Sequence, residues 1–251
     1  MSYVQLQPTD FVISNDSITL PTWTNNAPLL TSFFTSSAYS AAPEFYLDVY
    51  QTQSVNPDAL VQFSIAYGHI SGSGSTYYND LVPGYTATKT TYGQYRTLIY
   101  GDENANFNFG LGSTTNTCGI SSTSPIASMD IFVINIDRGR YREHLLPGSF
   151  NLRLTDGIGN VIKLTDNSAG VVINSYLDCG RAFDIISGSF GTPTTSVIES
   201  GVVSGYTKSG SYGMFLPDVG LIVLNPRALA LPFAKGGVSL NLNLGADTSG
   251  K

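Results

Sequence analysis

Hydrophobic and polar residues alternate along several short stretches of this chain, which is the pattern of half-buried β-strands. The alternation is clearest over residues 45–50, 61–67 and 238–244. Residues 128–137 instead contain a continuous apolar run, which is typical of a central strand that is buried on both faces. We therefore predict several strands separated by turns and loops.

Turn signals between the predicted strands indicate antiparallel hairpins. Asp-Gly-Ile-Gly-Asn at residues 156–160 and Pro-Asp-Val-Gly at residues 217–220 each separate two apolar segments. A third hairpin is predicted over residues 10–21, where an Asn-Asp turn follows an apolar run. Residues 68–83 and 110–125 are rich in Gly, Ser, Thr or Asn, and we predict that they are surface loops.

Helix signals are weak in comparison. No window of about 12 residues shows a convincing helical period, although residues 91–100 fit either a helix or a strand, and residues 22–42 and 226–232 leave room for short helices. The predicted fold class is mostly β: an antiparallel β-sandwich or sandwiches with long Gly/Ser/Thr/Asn-rich loops and little helix. These elements form either one β-rich region over residues 1–251 or two subdomains of about 1–125 and 126–251.

The composition supports this interpretation and excludes some functions. Only 12% of the 251 residues are charged, and 26 Gly, 15 Tyr and 13 Phe favour turns and strands over surface helices. The net charge of −6 argues against a nucleic-acid-binding protein, which normally presents a basic face. No apolar run reaches the roughly 18–20 residues that span a bilayer, and the first residues do not resemble a secretion signal. We expect a soluble protein without a membrane span.

Residues that commonly bind metals or form disulfides are few. Cys118 and Cys179 are too few for a disulfide scaffold, and neither belongs to a Cys-x-x-Cys pair, so we predict free thiols. Only His69 and His144 are present, and each is expected to be exposed or hydrogen-bonded rather than part of a His-rich metal site. Residues 102–106 begin like a calcium-binding loop, but the glycine and glutamate that such a loop requires are missing, which favours a polar turn.

No arrangement in the sequence predicts catalysis. The chain lacks a Gly-x-Ser-x-Gly motif, and residues 245–251 match a phosphate-binding loop only up to the lysine at which the chain stops. Asp48, Asp130, Asp137 and Asp178 are candidates for a hydrolase carboxylate pair, but the sequence brings no two of them together. We therefore expect no enzymatic activity, no catalytic or metal-binding residue and no cofactor.

Three arginines at alternate positions, Arg138, Arg140 and Arg142, follow the predicted central strand. If the strand continues, this spacing places them on one face, where they would bind the carboxylates or phosphates of a partner. Alternatively, they pair with acidic residues of the chain around a turn. Tyr77 and Tyr78 are further candidates for partner contacts, because exposed tyrosines supply contact area at low entropic cost, although tyrosine is also an ordinary strand residue. In so acidic a chain we expect the partner to be a protein.

A set of short segments spans most of the chain: Asp-Phe-Val-Ile-Ser (10–14), Trp-Thr-Asn-Asn-Ala-Pro-Leu-Leu (23–30), Ser-Phe-Phe-Thr-Ser-Ser (32–37), Phe-Ser-Ile-Ala-Tyr-Gly-His (63–69), Tyr-Gly-Gln-Tyr-Arg (92–96), Val-Ile-Asn-Ile-Asp-Arg (133–138), Tyr-Arg-Glu (141–143) and Pro-Asp-Val-Gly (217–220). Together they resemble virion structural proteins of T4-like myoviruses that infect cyanobacteria. These segments are sequence patterns rather than mechanistic motifs, so they indicate a family and not a site.

The resemblance implies a virion protein of the contractile tail or its baseplate, assembled in the host cytoplasm, with other virion proteins as partners and no catalytic residue. It also implies a homo-oligomer or a symmetric multi-copy assembly. Members of that family extend past the position of Lys251, so we expect a short or truncated form. The alternative function is a receptor-binding or adhesin-type tail-fibre domain, in which Tyr-, Ser- and Asn-rich loops recognise host surface glycan.

Overall fold

Antiparallel strands dominate the computed structural model, which describes residues 34–35, 47–73, 87–109, 127–170, 175–194 and 212–240. The strands in these residues are β1 Phe34–Thr35, β2 Leu47–Tyr50, β3 Val61–His69, β4 Phe107–Asn108, β5 Ala127–Ser128, β6 Asp130–Ile136, β7 Asn151–Thr155, β8 Val161–Asp166, β9 Ser175–Leu177, β10 Gly180–Ser189, β11 Thr192–Pro193, β12 Gly213–Leu216 and β13 Leu221–Leu224. The helices described are α1 Ala87–Tyr100 and α2 Pro226–Leu229, with 3-10 turns at Arg138–Arg140 and Phe233–Lys235. The predicted mostly β class is confirmed.

Most of the described strands join into a single antiparallel sheet that curls into a half-barrel. Its order is β1-β2-β3-β6-β13-β12-β10-β8-β7, with β9 and β11 paired to β10, whereas β4 and β5 pair only with each other. The sandwich arrangement is not confirmed, because these strands form one continuous sheet and not two sheets packed face to face. Strand β6 is central as predicted, since it pairs with β3 along its whole length and with β13 on its other side.

The two predicted hairpins that fall within the described residues are present. In the hairpin of β7 and β8, the Asp156 Oδ1 accepts N–H groups from Ile158 at 3.0 Å and Asn160 at 2.7 Å, which closes the turn. The second hairpin joins β12 to β13 through residues 217–220. In both cases local turn chemistry and flanking apolar segments determine the structure.

Other predicted elements have different outcomes. Residues 238–240 are not a strand, because the Leu229 carbonyl accepts the Val238 and Leu240 N–H groups and ties this segment to the end of α2. The rest of that predicted strand, the hairpin over residues 10–21 and the loop over residues 110–125 lie outside the described residues.

Side chains on successive residues of β6 enter two different hydrophobic clusters, because strand residues point alternately to opposite faces of a sheet. Ile131 and Val133 are fully buried in the cluster that contains α1. Ile134 lies in a second cluster, with Tyr141 and Leu229 among its members. The sheet is therefore covered on both faces.

Residues 91–100, which fit either a helix or a strand, belong to the 14-residue helix α1, which is longer than the sequence pattern indicates. Its buried residues are Thr88, Thr91, Tyr92, Tyr95 and Ile99, which follow the spacing of one helix face. Two of these residues are threonines, which a hydrophobicity pattern counts as polar, and this hides the period. The helix lies on β3, where the backbone nitrogen of Tyr92 would be 2.9 Å from a Cβ added at Gly68.

Candidate interaction surface

The three arginines predicted to share a strand face lie instead on a tight turn. Strand β6 ends at Ile136, and the Asp137 side chain accepts the Gly139 N–H at 2.8 Å while its carbonyl accepts the Arg140 N–H at 2.8 Å. These bonds start the 3-10 turn Arg138–Arg140. Of the two interpretations of the arginine spacing, the continuous row on a strand face is therefore wrong, because Asp137 stops the strand before the first arginine.

Arg138 is the arginine whose position the structure fixes most clearly. Its side chain donates from Nη1 to the Tyr141 carbonyl at 2.7 Å, and its guanidinium lies 4.5 Å from the centre of the Tyr141 ring. The residue is exposed, and no ion pair to it occurs among the described residues. A guanidinium held in this way keeps several N–H donors directed to solvent in a fixed plane, which suits bidentate binding of a carboxylate.

Tyr141, which supports Arg138, is itself anchored in the protein. Its side chain is buried against the turn between β12 and β13, where a Cβ on Gly220 would lie 2.7 Å from the Tyr141 Cε1. Gly220 also has a φ of 68°, so glycine is required there both for the backbone and for the ring contact. Burial raises the pKa of Tyr141, although the Arg138 charge opposes this shift.

The other two arginines have different surroundings. Arg140 is partly buried, and its Nε lies 3.8 Å from the Asp137 Oδ1. The alternative of internal pairing around a turn therefore applies to this residue. Arg142 is exposed. We use the name arginine rim for Arg138, Arg140, Tyr141 and Arg142.

An ion pair fixes the β12–β13 turn beside the rim. The Arg181 guanidinium and its backbone N–H all donate to the Asp218 carboxylate, with the backbone bond at 2.7 Å. Partial burial alone would raise the pKa of Asp218, but the hydrogen bonds and charge of Arg181 outweigh it and hold the pKa below its usual range. Backbone bonds from Ile136 to Gly220 and from Leu145 to Pro217 connect this turn to the rim.

The remaining predicted site residues can be located only in part. Tyr77, Tyr78 and Cys118 lie outside the described residues. Cys179 is a free, half-buried thiol, as predicted, and burial raises its pKa to about 11. The turn that starts at Asp102 is exposed and polar, as expected.

A cluster of polar side chains that no local sequence pattern indicates lies where β3 ends and β6 begins. His69 is directly opposite Asp130, and the Tyr67 hydroxyl lies 3.5 Å from the Asp130 Oδ2. Burial lowers the pKa of His69 and raises that of Asp130, and in each case the opposite charge counteracts the shift. His69 Nδ1 accepts the Ser71 N–H at 3.1 Å, so the histidine is hydrogen-bonded as expected. In the sequence, the only sign of this cluster is that Tyr67 and His69 are two residues apart and therefore share a strand face. Asp130 cannot be assigned to it from the sequence, because 60 residues separate it from His69.

Two of the carboxylates considered for a hydrolase are too far apart to form a catalytic pair. Asp130 and Asp137 lie on opposite ends of β6, about 23 Å apart at ~3.3 Å per residue, which exceeds the roughly 5–9.5 Å of glycosidase pairs. Asp48 instead accepts a hydrogen bond from the Ser64 hydroxyl. Among the described residues, no group of three or more His, Cys, Asp or Glu side chains is arranged to hold a metal ion.

Within the described part of the chain, neither helix has the length and apolar character needed to cross a bilayer. Comparison with protein-family models, with curated proteins and with solved structures found no match for this chain.

Proposed function

We propose that this chain is a structural subunit of a contractile-tailed phage particle, in the tail or baseplate, and that it acts through contacts with other virion proteins. The observation that carries the proposal is Arg138, an exposed guanidinium oriented by the ring and carbonyl of a buried tyrosine. A charged side chain that is ordered before binding loses less entropy when a partner carboxylate arrives. This arrangement suits a protein contact.

The position of the family-like segments in the fold also supports the proposal. Residues 63–69 form most of β3, residues 133–136 lie in the paired strand β6, and the backbone of Tyr92 lies against Gly68. The turn at residues 217–220 lies against Tyr141. The family-like segments that fall among the described residues therefore lie in elements that pack against one another, whereas residues 10–14, 23–30 and most of 32–37 lie outside the described residues. This placement favours a shared architecture with virion structural proteins rather than a shared catalytic site.

The expected assembly contains several symmetric copies in contact with other virion proteins. Stable interfaces of this kind usually bury about 1,200–2,000 Å² or more, and their energetic centres often contain arginine and aromatic residues. The arginine rim supplies exposed arginines for such a centre, whereas Tyr141 is buried and acts by holding Arg138 in place.

The test is to measure incorporation of variants into phage particles. Purified particles should contain the chain by mass spectrometry, and Arg138→Ala should lower its incorporation several-fold. Arg138→Lys should give an intermediate value, because lysine keeps the charge but not the planar set of donors. Arg153→Ala is the matched control, since Arg153 is also an exposed arginine but lies on β7, which is five strands from β6 in the order of the sheet.

Two results would overturn the proposal: absence of the chain from purified particles, or incorporation of the Arg138→Ala variant at the same level as Arg153→Ala. Normal incorporation of Arg138→Ala combined with loss of host adsorption would instead favour the receptor-binding alternative.

A further inference from the structure

The hairpin between β10 and β11 contains an aromatic residue in an unusual backbone conformation. Ser189 pairs with Thr192, so the turn consists of Phe190 and Gly191, with φ values of 49° and 73°. A two-residue turn with both φ values positive strongly favours Asn-Gly or Asp-Gly. Phenylalanine is a poor choice for the first position, because its Cβ crowds the backbone in the left-handed region.

Neither burial nor contact with another described aromatic ring offsets the backbone strain at Phe190. Its side chain is 65% exposed, and it makes no ring contact with another aromatic residue in the described part of the chain. A buried phenylalanine would offset a strained backbone by leaving water, but an exposed one does not. Strained residues of this kind are found most often where function requires them.

The rest of the turn is firmly attached to the sheet. The Gly191 N–H donates to the Thr165 Oγ1 at 2.7 Å, and Thr165 in turn donates to the Phe150 carbonyl at 2.8 Å. A Cβ added at Gly191 would lie only 3.3 Å from Ala169 and Gly148, so the turn packs closely on neighbouring backbone. Phe190 is therefore presented from a fixed base.

We propose that Phe190 is an anchor residue that inserts into an apolar pocket on a different protein of the particle; this inference rests on the proposed function. The hairpin residues 188–194 are Gly-Ser-Phe-Gly-Thr-Pro-Thr and include no charged or amide side chain. The complementary surface therefore needs no charge, and its apolar part is the pocket that receives the Phe190 ring. Glycan sites instead combine an aromatic ring with polar side chains that hydrogen-bond the sugar hydroxyls, and this hairpin offers only small hydroxyl groups. A rigid aromatic side chain is also the type of residue that dominates interface energetics.

The test uses opposite effects on stability and on assembly. Phe190→Asn places a residue suited to the turn at this position, so the melting temperature of the purified chain should rise by a few degrees while its incorporation into particles falls about 10-fold. Phe190→Tyr should keep most of the incorporation. The matched control is Ile158→Asn, because Ile158 is 87% exposed in another hairpin turn and is not in the left-handed region; it should change neither quantity.

The identity of the contact is tested by a photo-crosslinking amino acid at position 190 during infection. A crosslink to another virion protein is expected, whereas a crosslink to a second copy of this chain or to glycan would overturn the assignment. A lower melting temperature for Phe190→Asn would refute the strain argument. If the chain is absent from particles, both proposals fail; if it is present and Phe190→Asn is incorporated normally, only the anchor fails.

Discussion

The contact between α1 and β3 can be tested by adding one methyl group at Gly68. An alanine Cβ there would lie 2.9 Å from the Tyr92 backbone nitrogen and 3.1 Å from the Ile131 Cγ1. Contacts shorter than 3.4 Å are uncommon for real Cβ atoms, so the helix and strand must separate by about 0.5 Å, the difference between 3.4 and 2.9 Å. Because the obstacle is helix backbone, it cannot be relieved by a change of rotamer.

The expected loss of stability follows from this clash. Overpacking a well-packed site costs roughly 1–3 kcal/mol, and the smaller entropy of an unfolded chain with alanine in place of glycine offsets about 0.4–1 kcal/mol. We therefore expect Gly68→Ala to lower the free energy of unfolding by about 1–2 kcal/mol. For a chain of this size, that corresponds to a decrease of roughly 2–8 °C in melting temperature.

Two further glycines make the experiment specific. Gly93 lies inside α1 with nothing within 4 Å of its Cβ position, so Gly93→Ala should raise stability by about 0.5–1 kcal/mol if this segment is helical. Gly157 lies in an exposed turn with equally open surroundings, and Gly157→Ala should stay within about 0.5 kcal/mol of the unchanged protein. Differential scanning calorimetry measures all three. A neutral Gly68→Ala, or a destabilising Gly93→Ala, would refute the placement of α1 on β3.

Three more predictions concern individual side chains. Because its pKa is lowered in the folded state, Asp218 contributes stability above the unfolded pKa of about 4, and this contribution is lost as the pH falls further. Asp218→Asn should therefore have a lower free energy of unfolding than the unchanged protein at pH 6, and the two should differ much less at pH 2–3. An equal difference in free energy of unfolding at both pH values would contradict the ion pair with Arg181. Cys179 should react with a disulfide reagent at pH 8 about 100-fold more slowly than free cysteine, measured per site by mass spectrometry, because its pKa is about 11. Tyr92→Phe removes two buried hydrogen bonds of the hydroxyl and should lower the free energy of unfolding, measured in urea, by about 1–3 kcal/mol. Tyr176→Phe is the control, because this side chain is 68% exposed, and it should leave the free energy of unfolding unchanged. Equal effects of the two substitutions would argue against a buried Tyr92.

The parts of the fold that the sequence predicts correctly depend on local signals. The apolar run of β6 marks a central strand, and Asp-Gly-Ile-Gly-Asn marks a turn because the Asp156 side chain can accept N–H groups only two and four residues away. Helix α1 was harder to predict, because its inward face includes Thr88 and Thr91, and only packing on the sheet makes those positions part of the core.

The geometry of the candidate surface depends on contacts between distant residues, which a single sequence does not contain. Arg181 and Asp218 are 37 residues apart, and nothing in their local sequence indicates that they pair. The alternate spacing of the three arginines is visible in the sequence, but the positions of their side chains depend on where β6 ends. The Asp137 side chain determines that end by accepting the Gly139 N–H. The strain at Phe190 depends on a turn conformation that its own residue type disfavours, so sequence preference gives no indication of it.

A cryo-electron-microscopy map of the intact phage particle would show directly whether this chain is a structural subunit. We expect density for a curled antiparallel sheet with α1 on one face, repeated in symmetric copies in the tail or baseplate, with Arg138 and Phe190 both buried against neighbouring proteins. A map that contains no such density, or one in which both residues face solvent at the tip of a fibre, would contradict the proposed function.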